Sequence, residues 1–325
     1  MIVVSPIGSD PFLNLALEEY LLRHTEEDCM MLWQNSHAVV VGKHQNTMAE
    51  VNYPYVIKKG IPVVRRLSGG GTVFHGPGNL NFTFIVRGIQ GKLIDFAKHT
   101  RPIVSFLNQL GVRAKFEGKN DLRVDGLKIS GNAEHVYKNR VLHHGTLLFN
   151  ARLDILGEAI RVVPGKYIHK GVQSVRSQVT NISGFLESPP EMEDFSASLA
   201  TYLHQFFQAE QTWEPTGKAL DVIKELAQEK YSTWDWTYGY SPDYSFTGRA
   251  LIDGRETSLS LYVSKGYIVK AAFNAKSLPD SWHQVEKQLP GLRHGMEDIL
   301  SVMRGAGMAD STSGHIPQGF IPLFF

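Results

Sequence analysis

Residues 65–82 read RRLSGGGTVFHGPGNLNF, with Arg65, Arg66 and three consecutive glycines between apolar runs at 61–64 and 81–86. Glycines without side-chain bulk can take positive φ and let a ligand reach their amides. Exposed amides of a tight glycine turn form an anion-binding concavity, and an arginine fork reads a carboxylate or phosphate. The segment therefore predicts a nucleotide or acyl-phosphate site. It is not a Walker A loop: no GxxxxGK[ST] occurs, and a GxGxxG frame begun at Gly69 ends on Phe74. A glycine triplet alone is more often a hairpin or bulge. What raises it is a second set of polar, glycine-punctuated clusters: Gly118 to Asp121, Gly126 to Asn132, and His143 to Thr146.

Within these clusters Lys128 sits between Leu127 and Ile129 in a strand pattern. A strand lysine commonly reaches to solvent, but one held beside an α-phosphate and an acyl carboxylate would stabilise the charge that grows as one attacks the other. Arg65 and Arg66 alternate in direction if the strand continues, and Arg66, next to the glycines, is the one expected to face the site. Asn120 and Asp121 read either as a turn pair or as groups lining the site, with Asp121 a candidate Mg2+ ligand. His143 and His144 fall on opposite faces of a strand and no HExxH is present, which argues against a zinc enzyme. Ser68 lacks the GxSxG frame of a serine hydrolase.

Composition sets the outer limits. The 325 residues are 42% hydrophobic, with 33 Lys and Arg against 32 Asp and Glu, a net charge of +1. Such a chain buries a full core and has no overall basic field to hold nucleic acid. Cys29 is the single cysteine, which excludes an intramolecular disulfide or multi-cysteine zinc site and fits a reducing, cytoplasmic setting. No signal peptide and no run approaching about 18 apolar residues is seen, so no membrane role is expected.

The positioning elements follow from periodicity. Asp10-Pro11 starts a helix whose Leu13, Ala16, Leu17, Tyr20 and Leu21 share a face to about His24. Strands are expected at 30–33, 37–42, 62–66, 72–75 and 81–86, all in one sheet, then at 114–117, 122–124, 127–130 and 141–148. Residues 92–110 read as a helix kinked or broken at Pro102, and further helices at 153–161, 191–207 and 220–231 cap the sheet. Residues 234–244 read as a linker, followed by a three-stranded meander (245–252, 258–264, 267–273) and helices near 281–289 and 296–304. The fold class is a mixed α/β (α+β) domain over 1–240 with a small α+β accessory domain over 247–325.

Taken together, RRLSGGGTVFHGPGNLNF (65–82), GKNDLRV (118–124), GLKISGNA (126–133), HHGTLLFN (143–150), KGVQSVRSQVTNI (170–182) and YGYSP (238–242) resemble, in order and spacing, the lipoate-protein ligase family within the lipoyl and biotinyl protein ligases. That resemblance implies activation of lipoate, or octanoate, by MgATP to lipoyl-AMP. Transfer follows to a lysine of apo lipoyl domains, as in E2 subunits of 2-oxoacid dehydrogenases and the H-like protein of glycine cleavage. It implies Lys128 as the catalytic cation. It implies Arg66, Ser68, Gly69, Gly70, Gly71, Thr72, Val73, Phe74, His75, Asn79, Asn120, Asp121, Ser130, Gly131, His144 and Gly145 as binding residues. Three departures stand out: Gly76 where the family often has Asp, Lys119 where it has Arg, and Asn132 where it commonly has Ser. The rival within the fold is an acyl transferase that works without ATP through a thioester, but Cys29 lies outside every motif. A biotin ligase would need a GRGRxGR loop that is missing, and a binder without turnover would not need Lys128.

Overall fold

The computed structural model describes residues 1–88, 93–160, 163–252, 254–274, 279–309 and 316–325. The chain divides into two compact units, each made of three segments.

The first unit comprises Met1–Lys43, Pro62–Gly157 and Ser174–Ser232. Its main sheet has eight strands in the order 211–213, 2–4, 29–33, 79–87, 140–148, 127–137, 121–124, 115–117. The strand at 2–4 runs parallel to both its neighbours, and the remaining pairs are antiparallel. Along 79–87 the pleat sends Phe82 and Phe84 into a core with Ile103, Leu107, Phe149, Phe195 and Leu199. The helices Phe96–Gln109 and Met192–Phe207 supply that core's other wall. Thr83 points the opposite way, toward Glu18 of helix Pro11–His24. That helix begins where Asp10 Oδ1 accepts from the amides of Phe12 and Leu13 at 2.7 and 3.1 Å, an N-cap, with Pro11 at its first position.

Several expectations change. The strands at Ala38–Val41, Val63–Arg65 and Val73–His75 form a separate three-stranded sheet and do not join the one that contains 29–33 and 79–87. Apolar runs of similar length carry no information about which partner each will take. The helix at 96–109 runs through Pro102 without a break, because burial of Pro102, Ile103, Phe106 and Leu107 on one side outweighs the single missing amide. The strand expected to stop at Ser130 continues to Tyr137, passing through Gly131. The strands at 2–4 and 211–213 escaped notice, being three residues each. Residues 161 and 92, where two helices were expected to end and begin, lie outside the described residues.

The second unit comprises His44–Ile61, Glu158–Gln173 and Thr233–Phe325. The expected meander is present as Tyr244–Ile252, Arg255–Ser264 and Tyr267–Asn274, with a fourth strand, Tyr167–His169, antiparallel to the first. Its last turn has Lys265 and Gly266 at φ 51° and 78°, the doubly left-handed geometry of a tight hairpin. Phe246, Leu261, Val263, Trp282, Val285, Ile299 and Met303 form its core with Met48 and Tyr53. Those last two come from the short helices Thr47–Glu50 and Tyr53–Lys59, which lack enough turns to show a period. The stretch read as a linker contains a helical turn at Asp235–Gly239.

One carboxylate braces the first unit. Glu19 accepts from Lys230 Nζ at 2.6 Å, Tyr231 Oη at 2.7 Å and Arg23 Nε at 2.8 Å. Burial pushes its carboxyl up, but the Lys230 hydrogen bond and charge, with Tyr231 and Arg23, together hold it below its ordinary 4.5. A depressed carboxyl stabilises the fold above its unfolded pKa and ceases to as pH falls through the folded value. The expected result is that Glu19→Gln lowers the thermal midpoint at neutral pH and loses that effect in strong acid, as a pH series of melts would show.

Candidate active site

Lys128 lies near the start of the strand Leu127–Tyr137. Its Nζ pairs with Asp121 Oδ1 at 2.9 Å, while Arg123 Nη2 holds Asp121 Oδ2 at 2.8 Å. An irregularity in the 121–124/127–137 register at Leu122/Arg123 places these three side chains together. The Lys128 side chain keeps 22% of its surface against 14% for Asp121, so the ammonium is held yet reachable.

The glycine loop is shaped from beneath by Arg66. Its Nη2 donates to the carbonyls of Gly69 and Gly71 at 2.6 and 2.7 Å, its Nη1 to Val40 O at 3.1 Å, and its Nε to Ser68 Oγ at 3.0 Å. Burial pulls this guanidinium down to about 10, still charged at neutral pH. Arg65 is also buried, donating to the carbonyls of Gly42 and Lys43. Neither arginine is therefore a surface side chain at a strand end. Gly70 takes φ 89°, and its carbonyl oxygen occupies the space that a Cβ on Gly42 would need.

Ser68 opens a buried chain of hydrogen bonds. His144 Nδ1 donates to Glu18 at 2.9 Å, so its Nε2 accepts from Ser68 Oγ at 2.6 Å. Glu18 Oε1 also accepts from Thr83 Oγ1 at 2.6 Å, which in turn accepts from Trp33 Nε1 at 2.9 Å. The order Ser, His, Glu matches a hydrolase triad, but the Ser68 side chain is fully buried and already accepts from a guanidinium. It holds the loop and does not present a nucleophile.

The segment 174–180 ties the two regions together. Ser174 Oγ accepts from the Thr72 amide at 2.9 Å, and farther along the Lys128 amide donates to Gln178 O at 2.9 Å while Thr180 N donates to Lys128 O at 2.9 Å. Ser177 Oγ accepts from Arg123 Nη2 at 3.4 Å. The glycine loop, the lysine strand and residues 174–182 of the 170–182 motif thus meet in one unit.

The other expected site residues divide. Gly131 lies against the Lys128 side chain, where a Cβ would come 3.0 Å from Nζ. Asn120 donates through Nδ2 to Asn132 O, and Ser130 Oγ accepts from Asn132 Nδ2 at 3.3 Å. Asn132 Oδ1 is buried without a hydrogen-bond partner, as is Asn79 Oδ1. Gly145 has no room for a side chain: a Cβ would fall 2.5 Å from the Phe82 ring and closer still to Asn132 Oδ1. Gly145→Ala is expected to cost about 1–3 kcal/mol through this overpacking, read as a lower urea midpoint at unchanged slope.

Val73, Phe74 and His75 belong to the small sheet. Burial, then the charge of Arg66, push His75 down to about 3, so it is neutral, and Asn35 Nδ2 donates to its Nδ1 at 3.1 Å. Asn79 begins its strand four residues from Thr83, about 13 Å away, and bonds Asn81 instead of any group beside Lys128. Gly76 has a local reason: a Cβ there would lie 2.7 Å from the His37 ring, so the Asp common in the family has no space. Glu18, Arg123 and Ser174 were missed. A glutamate on an otherwise apolar helix face is the signal that could have exposed the first.

Both oxygens of Asp121 already carry ion pairs. Asp121 would be open to Mg2+ only where Lys128 releases it.

Residues 10–204 match the lipoyl protein ligase A/B catalytic domain. The chain belongs to that family. Lipoate-protein ligase LplJ of Bacillus subtilis is 35% identical over 98% of this chain and 97% of its own. Lipoate–protein ligase 1 of Staphylococcus aureus is 39% identical over 90% and 89%. Among solved structures, P. falciparum LipL1 in complex with lipoate has a TM-score of 0.63 at 24% identity, covering 93% of this chain and 94% of that one. Lipoate-protein ligase A bound with ATP gives 0.62 at 23% identity, covering 74% and 99%. The ligase fold is thereby established for this chain, in agreement with the mixed α/β expectation.

Proposed function

We infer that the chain is an ATP-dependent lipoate-protein ligase. The observation that carries this is the meeting of Lys128, the Arg66-shaped glycine loop and the 174–180 segment in one unit, in a chain whose family members of 35–39% identity are ligases. In the first step a lipoate carboxylate oxygen attacks the α-phosphorus of ATP, and pyrophosphate leaves. In the second, the neutral amine of a carrier lysine attacks the acyl carbon, an amide forms as the nitrogen gives a proton to solvent, and AMP leaves with the electron pair of the broken C–O bond.

Lys128 is assigned the charge that accumulates on the carboxyl and phosphate oxygens, exchanging Asp121 for substrate as it does so. The amides of Gly69 to Gly71 are assigned to the phosphate, the carbonyls of Gly69 and Gly71 being turned inward to Arg66. Asn120, Ser130 and the Ser68–His144 pair are assigned to the walls. Residues 1–240 carry the catalysis in this reading and 247–325 serve as accessory domain. Lipoate or octanoate is the acyl source, and the acceptors are apo lipoyl domains of 2-oxoacid dehydrogenases and the glycine cleavage H-like protein. The reaction is assigned to the cytoplasm; separately, among the described residues no helix is long and apolar enough to cross a membrane.

The deciding experiment is a mass spectrum of an apo lipoyl domain after incubation with this protein and lipoate, with and without MgATP. A lipoyl mass increment only with ATP is expected. An increment from a preformed acyl carrier without ATP would instead make it a transferase. Cys29 speaks against that alternative: it is buried in the strand Cys29–Trp33, and burial pushes its thiol up, the wrong direction for a nucleophile. Cys29→Ser is expected to leave ligation within about twofold of the parent rate, on the ground that a buried thiol outside the site does no chemistry.

A further inference from the structure

On the core face of the sheet, away from Lys128, three donors converge. His143 and Glu134 are cross-strand partners on neighbouring strands, and His99 stands in the first turn of the helix Phe96–Gln109 packed above them. The Nδ1 atoms of both rings lie 2.9 Å from the same oxygen, Glu134 Oε1. One ligand atom from each of the three residues falls within 4.8 Å of the others, and among the described residues this is the one such group.

One donor atom from each residue, within 4.8 Å of the others, approaches the spacing of about 3.3 Å that a tetrahedral ion with bonds of about 2.0–2.1 Å sets. The set is two imidazoles and a carboxylate, donors that suit zinc. The second carboxylate oxygen is already oriented, accepting from the Asp95 amide at 3.1 Å. His143 is fully buried against Phe82, Phe84 and Phe96, and its Nε2 has no hydrogen-bond partner. Beside His99 and Asp95 there is a cavity of about 20 Å³, room for one water on the His99 side of the group.

We propose that His99, Glu134 and His143 bind one zinc-class divalent ion that pins the helix 96–109 to the sheet. Each ring gives its Nδ1 lone pair, and its proton moves to Nε2, so neutral rings release none on binding. The site stands apart from the adenylation reading and does not depend on it.

The test uses the full-length protein, stripped with chelator and dialysed, then given Zn2+ alone, and Co2+ as a spectroscopic probe. The expected result is one ion retained per chain, visible d–d bands of four-coordinate Co2+, and a raised thermal midpoint. His99→Gln, at the least buried of the three positions, should weaken retention at least tenfold and abolish the midpoint shift. Should that variant fail to fold, the parent decides: Zn2+ must move the Nδ1 resonances of two histidines in an imidazole 15N spectrum. No retained ion, retention unchanged in His99→Gln, or no two-histidine shift would each overturn the proposal.

Discussion

Lys128→Ala should lower the rate of lipoyl-adenylate formation by roughly 10²–10³-fold, as does loss of a single donor aimed at developing charge. The ammonium has one ionic partner, Asp121, and the strand around it is fixed by backbone bonds to Gln178 and Thr180 that the substitution leaves in place. The fold should therefore persist while the chemistry fails. Because the lost interaction matters most in the transition state, kcat should fall more than KM rises. Pyrophosphate release under single-turnover conditions reads the step directly, and turnover within a few-fold of the parent would remove Lys128 from its assigned role. Lys128→Arg should recover little, since a planar fork cannot occupy the point-charge position between Asp121 and Gly131.

Arg66→Met should act in the opposite manner, through the fold. Its guanidinium satisfies three carbonyls, that of Val40 buried and those of Gly69 and Gly71 part-buried, and one buried hydroxyl, and a thioether satisfies none of them. Removing one side of a buried charged network costs about 3–5 kcal/mol, most of it from the acceptors left behind. The urea midpoint should drop accordingly, and residual activity at low temperature should show a raised KM for ATP as the loop loses its shape. A parent-like midpoint would mean that the loop carbonyls find other donors, and the shaping role would fall.

What the sequence made legible was local. The Asp10-Pro11 start and the 3.6-residue spacing located the first helix, with its end near His24. The alternation around Lys128 and the opposite faces of His143 and His144 were also readable, because the pleat fixes them. Lys128, Gly131 and Ser68 lie in the same unit as the glycine loop. The unread parts depend on partners distant in the chain. Nothing near Glu18 announces His144, and nothing near Ser174 announces Thr72. The split into two sheets was invisible for the same reason, since a run of valines at 39–41 does not say which strand it will pair with. Arg66 was expected to face a ligand and instead faces the backbone, a choice set by the carbonyls that a tight glycine turn directs inward.

The three-segment make-up of each unit sets an order of events during synthesis. Every residue of the first unit has left the ribosome once Ser232 emerges, so its eight-stranded sheet can close while the remainder is still being made. The strand Tyr167–His169 and the side chains of Met48 and Tyr53 must then wait for residues beyond 244 before their sheet and core exist. Domains complete in this N-terminal-first fashion during translation, and the waiting segments are those that a nascent-chain chaperone would find exposed.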